Sequence, residues 1–322
     1  MVDRRLRDGN EGPDRVQWRL GLRARDAGAD GIRHPRTRRG VRVTTPTGRD
    51  HGVQDLVVIT GASGGIGRAI VRGLVASGHA VVLHYHRNES AARTLAEEIG
   101  AGGARAFIAQ ADLTEPSGVG DLVAHVDQIL EATPGLSLHG LVNNAARLLG
   151  PSFDDASPEQ FDLYFALNTR APLFLTQQLS ARMSSGGSIV NVSSAGAHFS
   201  SAGDIVYAMS KAALESLTRN AAEALAPRGI RINTVIPGFT DNGHPALAVP
   251  GVREYVSTYA LLGGIASPAP VADAVAFLLS PHAGRTTGTA LDVTGGSTLG
   301  ARPRSSKISL RDIIAQPGIA PR

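Results

Sequence analysis

The stretch Leu56-Val57-Val58-Ile59-Thr60-Gly61-Ala62-Ser63-Gly64-Gly65-Ile66-Gly67 decides the fold. Four apolar residues in a row, three of them β-branched, suit a short strand buried on both faces. The glycines that follow allow a tight turn and close backbone approach, and a helix opens at Gly65. A strand that turns through glycines into a helix aims first-turn N–H groups and the positive end of the helix dipole at one point, as a pyrophosphate requires. The spacing is Gly-x-x-x-Gly-x-Gly rather than Gly-x-Gly-x-x-Gly, and no Gly-Lys-Ser/Thr follows, which disfavours a P-loop ATPase.

Outward from this stretch, apolar runs alternate with helical segments. That alternation predicts an α/β fold, a doubly wound parallel sheet of the Rossmann kind with about seven strands in a single domain. Further strands are expected at Ala80–His84, Arg105–Gln110, His139–Val142, Ser188–Val192, Ile230–Val235 and Ala290–Val293. Helices are expected over Gly65–Ala76 and Glu89–Ile99, up to about Glu131, over Pro158–Met183, and from just before Tyr207 to near Pro227. The Gly- and Pro-rich stretch Gly238–Pro270 breaks the alternation and is expected to form a loop or short helices over a site. Residues 1–52, dominated by Arg, Asp and Gly, read as a disordered extension. Residues 53–300 then form the catalytic domain and 301–322 a polar tail.

Charge is unevenly placed. Residues 1–50 carry 13 Arg and 7 acidic residues, a net +6 against +4 for the whole chain, so the remainder is net −2. With no Lys there and only Trp18 as a stacking aromatic, nucleic-acid binding is not expected. The absence of Cys excludes disulfides, thiolate catalysis and Cys-ligated zinc. No apolar run approaches a membrane span or a secretory signal, so a cytoplasmic location is expected. His84 and His86 alternate along or just past a strand, and no metal site is expected from them.

The second strand runs into His84-Tyr85-His86-Arg87-Asn88, with no carboxylate before Glu89. An acidic residue there would hold a ribose 2′-hydroxyl, whereas a basic one accommodates a 2′-phosphate. NADP(H) is therefore expected ahead of NAD, with Arg87 and His86 on the phosphate. Tyr207 and Lys211, four apart, share a helix face. A tyrosine titrates at about 10, and an adjacent ammonium is expected to bring it toward working pH. Lys211 is one of only two lysines among 32 basic residues. Ser194 follows an apolar strand, at the carboxyl end where open sheets place ligands. A Ser-His-Asp hydrolase is disfavoured because no Gly-x-Ser-x-Gly elbow surrounds Ser193 or Ser194. His198 reads as a loop residue.

Together these residues resemble the short-chain dehydrogenase/reductase family, in its compact single-domain branch and near its 3-oxoacyl-(acyl carrier protein) reductase-like members. The resemblance covers about Leu56 to Leu299. Thr60–Gly67 is similar to the family's cofactor loop, which implies that Gly61, Ser63, Gly65, Ile66 and Gly67 contact the cofactor. Asp112-Leu113 is similar to the pair along the adenine, and Asn143-Asn144-Ala145 to the segment after the fourth strand, with Asn144 and Ala145 at the cofactor. Pro237-Gly238, with Thr240 beyond, is similar to the turn beside the nicotinamide. Asn168, Ser194, Tyr207 and Lys211 fall where the family has its catalytic tetrad. The resemblance implies that Tyr207 exchanges a proton with the carbonyl oxygen, that Ser194 holds this oxygen, and that Lys211 lowers the Tyr207 pKa and binds ribose. It further implies that Asn168 holds a water leading from Lys211 to solvent. Ala146 and Gly64 depart from the family's usual Gly and, in many NADP-dependent members, Arg. The implied activity is reversible NADPH-dependent reduction of a small-molecule ketone or 3-oxoacyl group by a homotetramer. A non-catalytic dinucleotide-binding scaffold is the alternative.

Overall fold

The computed structural model describes residues 52–199 and 201–299, so the expectations for the amino-terminal extension and the carboxyl-terminal tail lie outside the described residues. Seven strands, β1 (Gln54–Ile59), β2 (Ala80–Tyr85), β3 (Ala106–Gln110), β4 (Leu136–Asn143), β5 (Ser188–Val192), β6 (Arg231–Pro237) and β7 (Ala290–Val293), form one sheet in the order β3-β2-β1-β4-β5-β6-β7. Every neighbouring pair is parallel. The winding direction reverses between β1 and β4, which opens a crevice at the carboxyl ends of these strands.

Among the described residues eight α-helices accompany the sheet: α1 (Gly65–Ala76), α2 (Glu89–Ala101), α3 (Gly118–Ala132), α4 (Pro158–Phe165), α5 (Ala171–Ser180), α6 (Ile205–Leu225), α7 (Val252–Ser257) and α8 (Ala269–Leu279). The period of two along β1 divides the core. Leu56 and Val58 pack with Leu122 and Leu175 on one face, while Val57 and Ile59 pack with Ile70 and Val275 on the other. Each such buried side chain contributes about 1.5–3 kcal/mol. A polar row crosses the same sheet. Asn143 and Asn191 are paired in register and hydrogen-bonded at 2.8 Å, and Asn191 continues to Thr218, which meets Thr234 at 2.7 Å.

The structure corrects the single helix expected over Pro158–Met183. A capping box starts α4, in which Ser157 and Gln160 bond each other's backbone N–H. The helix then widens into a π-helical turn at Ala166–Arg170 before α5. Asn168 sits in this turn. Over Gly238–Pro270 the chain forms a short 3₁₀ turn at Pro245–Ala248, then α7 and the start of α8. No helix among the described residues is long and apolar enough to cross a membrane.

Candidate active site

At the carboxyl ends of the strands lies a cleft of about 1000 Å³. Its base is the turn from β1 into α1. Gly61 has φ 64°, and a Cβ there would stand 2.9 Å from Ala145 Cα, so only glycine fits. A Cβ at Gly65 would collide with the backbone of Asn242, and one at Gly67 with that of Gly61. The loop is therefore an uncluttered backbone cradle at a helix start, a shape suited to pyrophosphate.

Two side chains brace this cradle. Thr60 Oγ1 accepts from the N–H groups of Asn144 (2.9 Å) and Ala145 (3.0 Å). The Asn144 amide donates to Thr60 O and Gly61 O at 2.9 and 3.1 Å. Asn144 thus holds the loop, and both its side-chain donor contacts go to backbone rather than into the cleft. The bracing role of His84 has no local sequence signal. Its Nε2 donates to Ala111 O at 3.1 Å and its Nδ1 accepts from Gly61 N at 3.1 Å, which fixes the neutral Nε2–H tautomer. Burial pushes its pKa down to about 4. The ring joins the glycine loop to the chain beyond β3.

At the outer end, Asp112 receives Thr114 N (3.0 Å) and Thr114 Oγ1 (2.6 Å) on one oxygen, with His86 Nε2 3.1 Å from the other. Burial raises the Asp112 pKa, but the Thr114 donors and the His86 ring more than offset it, and the net direction is down. His86 was expected on a phosphate; the structure turns its ring to Asp112. Arg87 is exposed at the rim of the cleft.

At the inner end, Ser194 follows β5, and its Oγ accepts from Gly196 N at 3.1 Å. The Ser194 hydroxyl lies beside the Tyr207 phenol and acts to lower its pKa. Tyr207 is half-buried in the first turn of α6. Burial pushes its phenol up to about 12, with Ser194 opposing, although the residue still lines the cleft. Lys211 lies one turn further. Its Nζ donates to Val192 O at 2.7 Å and stands 6.0 Å from the Tyr207 ring centre. Burial pulls Lys211 down to about 8, and the Glu215 carboxylate opposes this. The direction found for Tyr207 is therefore upward, with burial as its largest cause. Glu215, buried one turn beyond Lys211, accepts from Ser193 Oγ at 2.6 Å and lies 2.9 Å from His198 Nε2. Its i+4 spacing from Lys211 was the available sequence signal.

Asn168 is buried and does not line the cleft. Its Nδ2 donates to Arg147 O and Ser210 Oγ at 3.1 and 2.9 Å, and its Oδ1 accepts from Arg147 N at 2.9 Å. The side chain pins the segment after β4 to α6. The remaining expected contacts, namely Ser63, Ile66, Leu113, Ala145, Pro237, Gly238 and Thr240, all border the cleft. Its far wall is aromatic. Phe239 and Tyr255 meet Tyr259 edge-on at 5.1 and 5.5 Å, Phe199 lies 5.8 Å from it, and the two tyrosine hydroxyls are 2.7 Å apart.

Residues 61–298 match the protein family described as enoyl-(acyl carrier protein) reductase. The chain is 36% identical over 245 residues to the uncharacterized oxidoreductase YmfI of Bacillus subtilis, covering 74% of this chain and 97% of that protein. It is 30% identical over 256 residues to the hydroxynaphthalene reductase-like protein Arp2 of Metarhizium guizhouense, covering 75% and 94%. Among solved structures it is similar to the angucycline C-6 ketoreductase LanV with bound NADP, at 38% identity and a TM-score of 0.74, over 78% of this chain and 100% of that one. LanV has also been solved with NADP and rabelomycin, and that structure matches with a TM-score of 0.71 at 38% identity, over 77% of this chain and 98% of that one.

Proposed function

The chain belongs to the short-chain dehydrogenase/reductase family, and from that premise we propose that it is an NADPH-dependent ketoreductase acting on a flat, polycyclic aromatic ketone. The observation that carries the reading is that Ser194, Tyr207 and Lys211 line the same cleft as the glycine cradle of Gly61, Gly65 and Gly67. NADPH, when bound, supplies the hydride that reduces the carbonyl carbon.

This chain's residues do the rest. Ser194 donates a hydrogen bond to the carbonyl oxygen and fixes it beside Tyr207. With its pKa high, Tyr207 is protonated at neutral pH and ready to give its proton to that oxygen as the C=O bond becomes C–O⁻. The resulting phenolate is stabilised by the Lys211 ammonium one turn away, which shares its other donors with ribose hydroxyls. Arg87, exposed at the rim, would hold the 2′-phosphate. Gly61, Gly65 and Gly67 leave backbone N–H groups to the pyrophosphate.

The substrate class rests on the Phe199–Phe239–Tyr255–Tyr259 wall, which suits fused rings, and on the polycyclic compound named with LanV and the naphthalene chemistry named for Arp2. The test is NADPH consumption by the full chain with rabelomycin and with a 3-oxoacyl thioester. Faster turnover of the polycyclic ketone supports the assignment. Faster turnover of the thioester overturns the substrate class and leaves the reductase. No turnover of any ketone would return the scaffold alternative.

A further inference from the structure

Asp55, His79 and His139 come together toward the amino ends of three neighbouring strands, away from the catalytic cleft. Asp55 is the second residue of β1, His79 directly precedes β2, and His139 lies within β4. One potential ligand atom from each lies within 4.8 Å of the other two, and His139 Nδ1 stands 3.9 Å from Asp55 Oδ2. The two imidazoles are stacked, with ring centres 5.8 Å apart and planes 29° apart.

Two further features concern how the rings are held. His139 Nε2 is 3.1 Å from Leu279 O, and His79 Nδ1 is 3.1 Å from Leu74 O. A carbonyl can only accept, so His139 Nε2 and His79 Nδ1 are the donors in these contacts. An imidazole whose other N–H is tied to a backbone carbonyl is the arrangement that orients histidine toward a metal. The second feature is in the sheet. Leu56 pairs with Leu138 while Val57 pairs with Gly140, so His139 is an extra residue in β4, a bulge beside β1. Bulges re-aim a side chain and recur at functional positions. Here the re-aimed side chain is the buried histidine of the cluster.

We propose that Asp55, His79 and His139 form a binding site for a divalent transition-metal ion, with Zn²⁺ as the fitting member of the class. Two imidazoles and one carboxylate are a borderline donor set suited to zinc, at bond lengths of about 2.0–2.2 Å, and ill-suited to magnesium or calcium, which favour oxygen cages. Side-chain rotation would bring atoms already within 4.8 Å of one another onto one ion. The ion would staple β1, β2 and β4 at the end of the sheet opposite the cleft, so it stabilises the fold and takes no part in the proposed reduction.

The test uses the full chain, stripped with chelator, dialysed against Zn²⁺ and analysed for bound metal, beside Asp55→Asn and His79→Gln. Both substituted positions are partly exposed, which spares the buried His139. Because the chain has 10 histidines, the difference from wild type is what counts. Wild type is expected to retain about one more Zn²⁺ than either variant and to gain on the order of 5–10 °C in melting temperature at a hundredfold excess over the dissociation constant. The metal-free melting temperatures of the three proteins are expected to agree within a few degrees. Zinc uptake that survives either substitution, or no uptake by wild type, overturns the proposal whatever the reductase assays show.

Discussion

At the scale of single residues, the proposed proton transfer depends on groups whose titration burial has moved. Tyr207→Phe removes the acid and leaves the ring, so kcat is expected to fall by about 10²–10⁴ while NADPH binding, read by fluorescence, stays unchanged. Equal loss of both would mean the phenol is needed for binding. The reduction should also weaken as pH rises through about 8, where Lys211 gives up its proton. Glu215 opposes the burial that lowers Lys211, so Glu215→Gln must move that alkaline limb to lower pH. Gln keeps the Oε1 that Ser193 and His198 face, so a purely structural role would lower the rate without moving the limb. Arg87 tests the cofactor. An arginine on a phosphate contributes about 1.5–3 kcal/mol, so Arg87→Ala should raise the KM for NADPH by about 10- to 100-fold and leave that for NADH unchanged. An equal rise for both would place Arg87 away from the 2′-phosphate.

At the scale of elements, His84 couples the turn after β1 to the chain after β3. His84→Asn should raise the KM for NADPH more than it lowers kcat, because the glycine loop loses its brace. The same ring sets a pH response. The unfolded chain takes up this proton at about 6.5, but the folded ring does so only at about 4. Folding therefore excludes a proton in that window, and stability drops as pH falls from 6.5 to 4, by on the order of 3 kcal/mol. Melting curves across this range should converge for wild type and variant at low pH; parallel curves would dismiss the clamp. Nothing local announces such a contact. The strands were legible because Leu56–Ile59 in β1 and Ile189, Val190 and Val192 in β5 must be apolar to lie between two helix layers. The glycine loop was legible because its spacing is itself the geometry. The π-helical turn was not, since Ala166–Arg170 reads as ordinary helix and widens where Asn168 meets Arg147 and Ser210, partners far off in sequence. The partners of His84, Asn144 and Asn168 are largely backbone groups, which carry no sequence signature. The alternation of strands was thus readable, whereas the braces that hold the cleft depend on tertiary contacts.

At the scale of the whole molecule, the outer helices leave apolar side chains in water. Phe161 on α4, Leu173 and Phe174 on α5 and Met209 on α6 are 38% to 48% exposed. Phe161 stacks on Phe165 at 4.2 Å, which stiffens that part of the surface. Single exposed apolar residues are ordinary, but several on adjoining helices mark a contact surface. A second copy of this chain is the occupant we propose, because a closed symmetric assembly sets the same helices against each other. Lying on α4, α5 and α6, that interface would buttress Tyr207 and the Asn168 turn from behind, so assembly and activity should fall together. Phe174→Glu and Met209→Glu place carboxylates where such a contact would desolvate them, at a cost of several kcal/mol per charge. Light scattering should then report a homotetramer for the wild type and smaller species for the double variant, with reductase activity reduced in proportion. A tetramer that persists in the double variant would move the interface to other surfaces, and a monomeric wild type would leave these four residues to a different partner.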